Sequence, residues 1–221
     1  MANDPQPETL SLFPLPTVLL PGATLGLRVF EPRYLDMVRE CGRNSCGFGI
    51  CLILERDALE SDALESDALE SDGPGNDARG EPGVHGAAAA YGTEALIEDF
   101  GTGDDGLLTL QVRGARRFHV NQVRVRDNGL QVARITWCEP DPVEPLRPEH
   151  GLLSTLLHGV IDRFGGEYAK ADEARFDDAA WVGWRLAELL PLLDQQRQQL
   201  LQIDDPHERL DHLLALLPDE P

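Results

Sequence analysis

Thr9 to Leu27 is a run of 19 residues without a charged side chain. A run that long could cross a bilayer as a helix. Pro14, Pro16, Pro21, Gly22 and Gly26 interrupt it. Each proline removes a backbone donor and breaks a regular helix. The stretch therefore reads as two short buried strands, Leu10–Pro16 and Thr17–Gly22, each ended by proline. Thr24–Phe30 follows as a third strand, with Leu25, Leu27 and Val29 on one face at period two. No membrane segment is expected. The start, Met1-Ala-Asn-Asp-Pro, lacks the basic and apolar regions of a signal peptide. Four cysteines without a secretory signal read as reduced thiols in a cytoplasmic protein.

Glu31-Pro32 opens a helix, because proline is accepted at the first helical position and an acid suits the positive end of the dipole. Tyr34, Leu35, Val38 and Cys41 form its apolar stripe, and Gly42 is a plausible stop. Phe48–Leu54 is a nearly continuous apolar run and reads as a central strand. Then Asp-Ala-Leu-Glu-Ser occurs three times in tandem, from Asp57 to Ser71. Leu59, Leu64 and Leu69 are five apart, about 140° of helix rotation, so they share no face. Residues 56–90 are expected to form a flexible acidic loop. Strands resume at Tyr91–Phe100, Leu107–Arg113, Arg117–Arg126 and Leu130–Trp137. Gly103–Gly106 and Asp127–Gly129 supply hairpin turns between them. This succession suggests an antiparallel sheet closing towards a barrel. Glu139–Pro148 holds four prolines and reads as a linker. Helical spacing follows in Glu149–Phe164, Ala179–Leu190, Asp194–Ile203 and from Pro206 onward, with Asp194 and Asp205 as caps. Short connections suggest a small bundle.

The formal net charge is −20, from 39 acidic and 19 basic side chains. That balance argues against a polyanion as main partner. Lys170 is the single lysine and follows no glycine loop, so there is no Walker-type phosphate loop. The acidity is uneven. Residues 57–90 carry 9 acids against 1 base, and residues 146–221 carry 15 against 7. Residues 91–145 carry 9 against 6, close to neutral.

Leu12-Phe-Pro-Leu-Pro-Thr-Val-Leu-Leu-Pro-Gly22 and Leu25-Gly-Leu-Arg-Val-Phe-Glu-Pro-Arg-Tyr34 carry a resemblance. Phe48-Gly-Ile-Cys-Leu-Ile53, Tyr91-Gly-Thr93, Arg113-Gly-Ala-Arg-Arg-Phe118 and Glu208-Arg-Leu210 follow in the same order. From about residue 10 to 217 the chain resembles the N-terminal substrate-binding domain of Lon proteases, including its free-standing bacterial members. The acidic repeat is outside that pattern. The resemblance implies an α+β fold: a PUA-like antiparallel β-barrel, residues 1–145, followed by a C-terminal helical bundle, residues 146–221. It implies a non-catalytic protein- or peptide-binding module, without the ATPase and protease modules of Lon, that takes polypeptide clients or a protein partner. A PUA-like RNA-binding protein and a regulator of a Lon-type protease are the alternatives.

Pro21, Phe30, Glu31, Arg33 and Tyr34 are the candidate protein-binding residues. Glu31, Arg33 and Tyr34 could equally serve the fold: Glu31 as a helix cap, Tyr34 as packing, Arg33 as an anchor for a carboxylate or loop carbonyl. Cys41, Cys46 and Cys51 are spaced by five, which invites a zinc reading, but one falls on a helix end, one within an apolar strand, and no fourth ligand is evident. No Gly-x-Ser-x-Gly or His-Glu-x-x-His occurs. Ser154 and Lys170 lack catalytic context. His207 and His212 lie too far apart around a helix to chelate together. Catalytic residues, cofactors and metals are therefore not expected. Arg113, Arg116, Arg117, Arg124 and Arg126 form the one locally basic region, without interleaved aromatics for base stacking.

Overall fold

The computed structural model describes residues 8–54 and 87–217. Within them lie six strands and five α-helices. The strands are β1 (Glu8–Leu15), β2 (Thr24–Val29), β3 (Phe48–Leu54), β4 (Ala87–Thr102), β5 (Leu108–Val125) and β6 (Gln131–Trp137). The helices are α1 (Pro32–Asn44), α2 (Gly151–Phe164), α3 (Ala179–Leu189), α4 (Asp194–Gln202) and α5 (Pro206–Leu216). Most of the acidic loop expected at 56–90 falls outside the described residues. Its last four residues, Ala87 to Ala90, belong to β4.

All strands join one sheet in the order β2-β5-β4-β3-β1-β6, with a further β5–β6 pairing. The sheet is mixed, which corrects the antiparallel expectation. β1 and β3 run parallel, with Leu12 opposite Gly49 and Leu15 opposite Leu52. A parallel pair needs a crossover, and the stretch through β2 and α1 supplies it. Two other strand expectations also fail. Thr17–Leu20 is irregular rather than extended. Leu108–Val125 forms one 18-residue strand rather than two. Gly114 marks the reason. A Cβ there would come 2.2 Å from the Leu20 carbonyl oxygen. The Leu20–Ala23 segment crosses β5 at this point: Gly22 N–H donates to Gly114 O at 2.8 Å and Gly114 N–H donates to Ala23 O at 2.9 Å. The glycine permits a close backbone approach; it does not turn the chain. The hairpin turns are where expected, with Gly106 and Gly129 at φ 78° and 79°.

α1 passes Gly42 and runs to Asn44, ending on Ser45 at φ 51°. Its buried residues are Tyr34, Met37 and Cys41, while Leu35 and Val38 are only partly covered. α3 is buried nearly all round, as befits a central helix. Asp178 and Asp205 cap α3 and α5: the Asp205 carboxylate accepts His207 N–H at 2.7 Å and Glu208 N–H at 3.1 Å. At α4 the cap position is Leu193, not Asp194. Leu193 N–H donates to Gln196 Oε1 at 2.8 Å.

One apolar core runs from Phe13 and Phe48 in the sheet through Leu157 and Val182 to Leu213 in α5. A second, smaller cluster joins Leu10, Leu12, Cys51, Phe118, Ala133 and Ile135. Between sheet and helices sits a buried ionic joint. Arg209, fully buried, donates to Asp141 Oδ1 at 2.9 Å and to Ile203 O at 2.8 Å. Its guanidinium lies 3.6 Å from the Trp184 ring centroid. Arg117 of β5 donates to Leu201 O at 3.0 Å and pairs with Asp204 at 3.0 Å. Burial lowers the Arg209 pKa, and Asp141 opposes that shift.

Candidate functional site

The structure distributes the five candidate residues between two neighbouring places. Pro21 belongs to a turn held by arginines. Arg185 of α3 donates to Pro21 O, and Arg113 of β5 donates to Gly22 O at 2.8 Å. Gly22 has φ 77°, which favours glycine. Arg185 also donates to the Tyr168 hydroxyl and pairs with Glu188 at 2.8 Å. Tyr168 OH donates to Glu188 Oε2 at 2.9 Å. Arg113 binds Glu98 at 2.5 Å and Glu167 at 3.0 Å, and these hydrogen bonds raise its pKa. Burial pushes the Glu188 carboxyl above its ordinary range, against the pull of Arg185. Glu167 moves down, chiefly through its hydrogen bond from Arg113.

Phe30, Glu31, Arg33 and Tyr34 lie where β2 passes into α1. Tyr34 is buried, stacked on Phe13 with ring centroids 4.1 Å apart. Burial raises its hydroxyl pKa. Arg33 reaches two acceptors: the Glu31 carboxylate at 2.6 Å and Gly129 O at 3.2 Å. Glu31 occupies the N-cap position, but its side chain makes no capping hydrogen bond. Arg33 thus ties the start of α1 to the β5–β6 turn. Phe30 is different. It is 64% exposed.

Beside this block lies a groove that the sequence analysis did not pick out. It has a volume of about 720 Å³ and runs between α1 and the β4–β5 surface. Leu35, Val38 and Gly42 form one wall, and Leu96, Ile97 and Phe100 the other, with Leu108 and Leu110 between. Leu96 is 43% exposed and Phe100 74%. Val29 pairs with Leu108, so Phe30 stands one residue beyond a groove-lining position. Two charged residues of the lining are already matched: Arg39 with Asp36 at 2.8 Å, and Glu98 with Arg113. β3 pairs with β4 from Ala87 to Ala95, so β4 from Leu96 onward has no β3 partner. The groove thus offers apolar side chains beside a strand edge on that flank. A clue was available in α1: Leu35, Val38 and Gly42 follow helical spacing on a face next to Tyr34, Met37 and Cys41.

The three cysteines do not converge on one point: the Cys41 and Cys46 side chains meet, and Cys51 stands apart. Cys41 and Cys46 line the groove, whereas Cys51 belongs to the second core cluster. Burial pushes the Cys41 and Cys51 thiols up to about 12. Among the described residues, no group of three or more His, Cys, Asp or Glu is placed to hold a metal ion. Ser154 Oγ donates to Phe176 O at 2.8 Å. Four arginines of the basic region are engaged internally, Arg113 with Glu98 and Glu167, Arg116 with Glu94, Arg117 with Asp204, and Arg126 with Glu40, while Arg124 stands exposed.

A mixed sheet, a helical half sharing its core, and an exposed apolar groove define a β-rich recognition domain. Residues 9–219 match the family model of the ATP-dependent protease La (LON) substrate-binding domain, and the chain belongs to that family. It is similar to a solved Lon N-terminal domain protein from Xanthomonas campestris: 51% identity over 96% of this chain and 99% of that one, with a TM-score of 0.72. The N-terminal domain of a Mycobacterium avium complex Lon protease shares the fold. It has 16% identity over 94% of this chain and 97% of that one, with a TM-score of 0.62. Among the described residues no helix is long and apolar enough to cross a membrane.

Proposed function

We propose that this substrate-binding domain takes extended, apolar polypeptide segments in the α1–β4 groove. The observation that carries the reading is the groove itself: exposed Leu96 and Phe100 face α1 beside a strand edge that β3 leaves open. An extended segment can bury alternate apolar side chains there while its backbone pairs with β4. Phe30 extends the apolar surface at the groove end. Glu31, Arg33 and Tyr34 hold the start of α1, and Pro21 belongs to the turn that braces the sheet against α3. In this reading the five residues contribute one direct anchor, Phe30, and four supports.

The binding is reversible and uses no cofactor, metal or catalytic residue. The pairing of β5 with β6 supports a PUA-like closed barrel within residues 1–145. The packing of α3 against its neighbours supports a bundle within 146–221. Internal pairing of Arg113, Arg116 and Arg117 supports a protein rather than a nucleic-acid ligand. The buried thiols of Cys41 and Cys51 suit a reducing cytoplasm.

The test is fluorescence anisotropy with a fluorescein-labelled peptide of alternating leucine and threonine, carrying lysines at its ends. Saturable binding by the full chain, absent for a serine-for-leucine peptide, supports the reading. Equal binding of both peptides, or of neither, overturns it.

A further inference from the structure

We infer that His150 and His207 share a proton and form a latch between the linker and α5. The two rings are buried. They lie 17° from parallel with centroids 5.4 Å apart, while their Nδ1 atoms are 3.3 Å apart. They therefore meet through those nitrogens rather than face to face. On the far side of each ring stands a carboxylate. His150 Nε2 is 2.7 Å from Asp211 Oδ1, and His207 Nε2 is 3.1 Å from Glu144 Oε2. The result is a chain of four side chains: Asp211, His150, His207, Glu144.

Counting hydrogens sets the charge of this chain. An ionised carboxylate only accepts, so each Nε2 must carry a hydrogen. The contact between the two Nδ1 atoms needs one more. Three contacts require three ring protons, but two neutral imidazoles bring only two. The contacts are complete when the pair carries one extra proton, a single positive charge between two carboxylates. Losing that proton leaves one contact without a hydrogen. Gaining a fourth sets two N–H groups against each other and places two cations in contact. Asp205, the N-cap of α5, and Arg147 of the linker also face this cluster, with opposite charges, and Glu149 and Glu208 flank the two histidines in sequence.

The position gives the latch its role. Glu144 lies in the proline-rich segment that leaves the sheet, and Glu144 O accepts Ala179 N–H at 2.9 Å at the start of α3. His150 ends the short 3-10 turn before α2. His207 and Asp211 stand one turn apart on α5. The shared proton therefore ties the beginning of the helical half to its last helix.

The test is long-range 1H–15N spectroscopy of the full chain labelled with 15N-histidine, in the presence of EDTA, at about pH 7.5, where independent histidines are largely neutral. The expected result is three ring protons on this pair, with one of them divided between the two Nδ1 signals. In Glu144→Gln the amide can donate to a bare Nε2, so the count is expected to fall to two while the backbone spectrum is retained. Two ring protons in the native chain would overturn the inference. So would a count of three that survives Glu144→Gln, or two bare Nδ1 atoms whose signals move on adding zinc chloride instead of EDTA.

Discussion

The Pro21–Gly22 turn and the α1–β4 groove lie on the same sheet and are finished in opposite ways. At the turn both central carbonyls meet a guanidinium: Arg185 on Pro21 O and Arg113 on Gly22 O. Both arginines are themselves held by Glu188, Glu98 and Glu167. In the groove, Leu96 and Phe100 stay 43% and 74% exposed. The turn contains residues that carry the family resemblance; the groove is built mainly from residues that do not. Motif residues here chiefly hold the fold in register, and the surface available to a ligand lies next to them.

The largest expected effect comes from breaking the clamp. Arg185→Met leaves the half-buried Glu188 carboxylate without its cation and should cost about 3 kcal/mol in urea unfolding at neutral pH. Glu188 is a carboxyl whose folded-state pKa is raised, so the folded chain takes up the proton first as pH falls. The penalty of Arg185→Met should therefore be smaller at about pH 5 than at pH 7. A penalty independent of pH would separate Glu188 from the clamp. Gly114→Val drives a side chain into the Leu20 carbonyl and should cost about 2 kcal/mol, measured the same way. An unchanged midpoint would mean that the crossing of Leu20–Ala23 over β5 is not tight.

Groove variants should behave in reverse. Leu96→Asp replaces a partly exposed side chain, so stability should stay within about 0.5 kcal/mol. Affinity for the leucine–threonine peptide should fall about tenfold or more, equivalent to about 1.4 kcal/mol. Equal affinity would move the site elsewhere. The smallest effect is expected from deleting Asp57–Asp72. Leu54 and Ala87 are direct ladder partners, so the β3–β4 pairing closes before that segment begins. The deletion removes seven carboxylates and no base, taking the net charge from −20 to −13. If the segment is the loop its sequence suggests, halving the connection should stabilise the fold by only about 0.6 kcal/mol. A large loss of thermal stability would make the repeat structural.

Legibility in the sequence followed local physics. α1, β3, β6 and α3 were readable because apolar period, proline at N1 or a continuous apolar run each encode one element. The single long β5 was not, because a glycine that admits a crossing backbone looks the same as one that turns the chain. The parallel β1–β3 pair depends on where α1 returns the chain, and no local pattern carries that. Tyr34 was readable as a packing residue and Arg33 as an anchor for a loop carbonyl, since strand-to-helix geometry demands both. The groove needed a second stripe on α1 to meet the part of β4 that extends past β3, and the two are more than fifty residues apart in sequence. His150 and His207 are 57 residues apart, so their pairing has no local signature either.

The most direct measurement of the central claim is methyl chemical-shift mapping of the full chain titrated with the leucine–threonine peptide. The account predicts shifts at Leu35, Val38, Leu96, Ile97 and Leu108, with Val18 and Leu20 beside the clamped turn unmoved. Shifts confined to Val18 and Leu20, with the groove methyls silent, would contradict it.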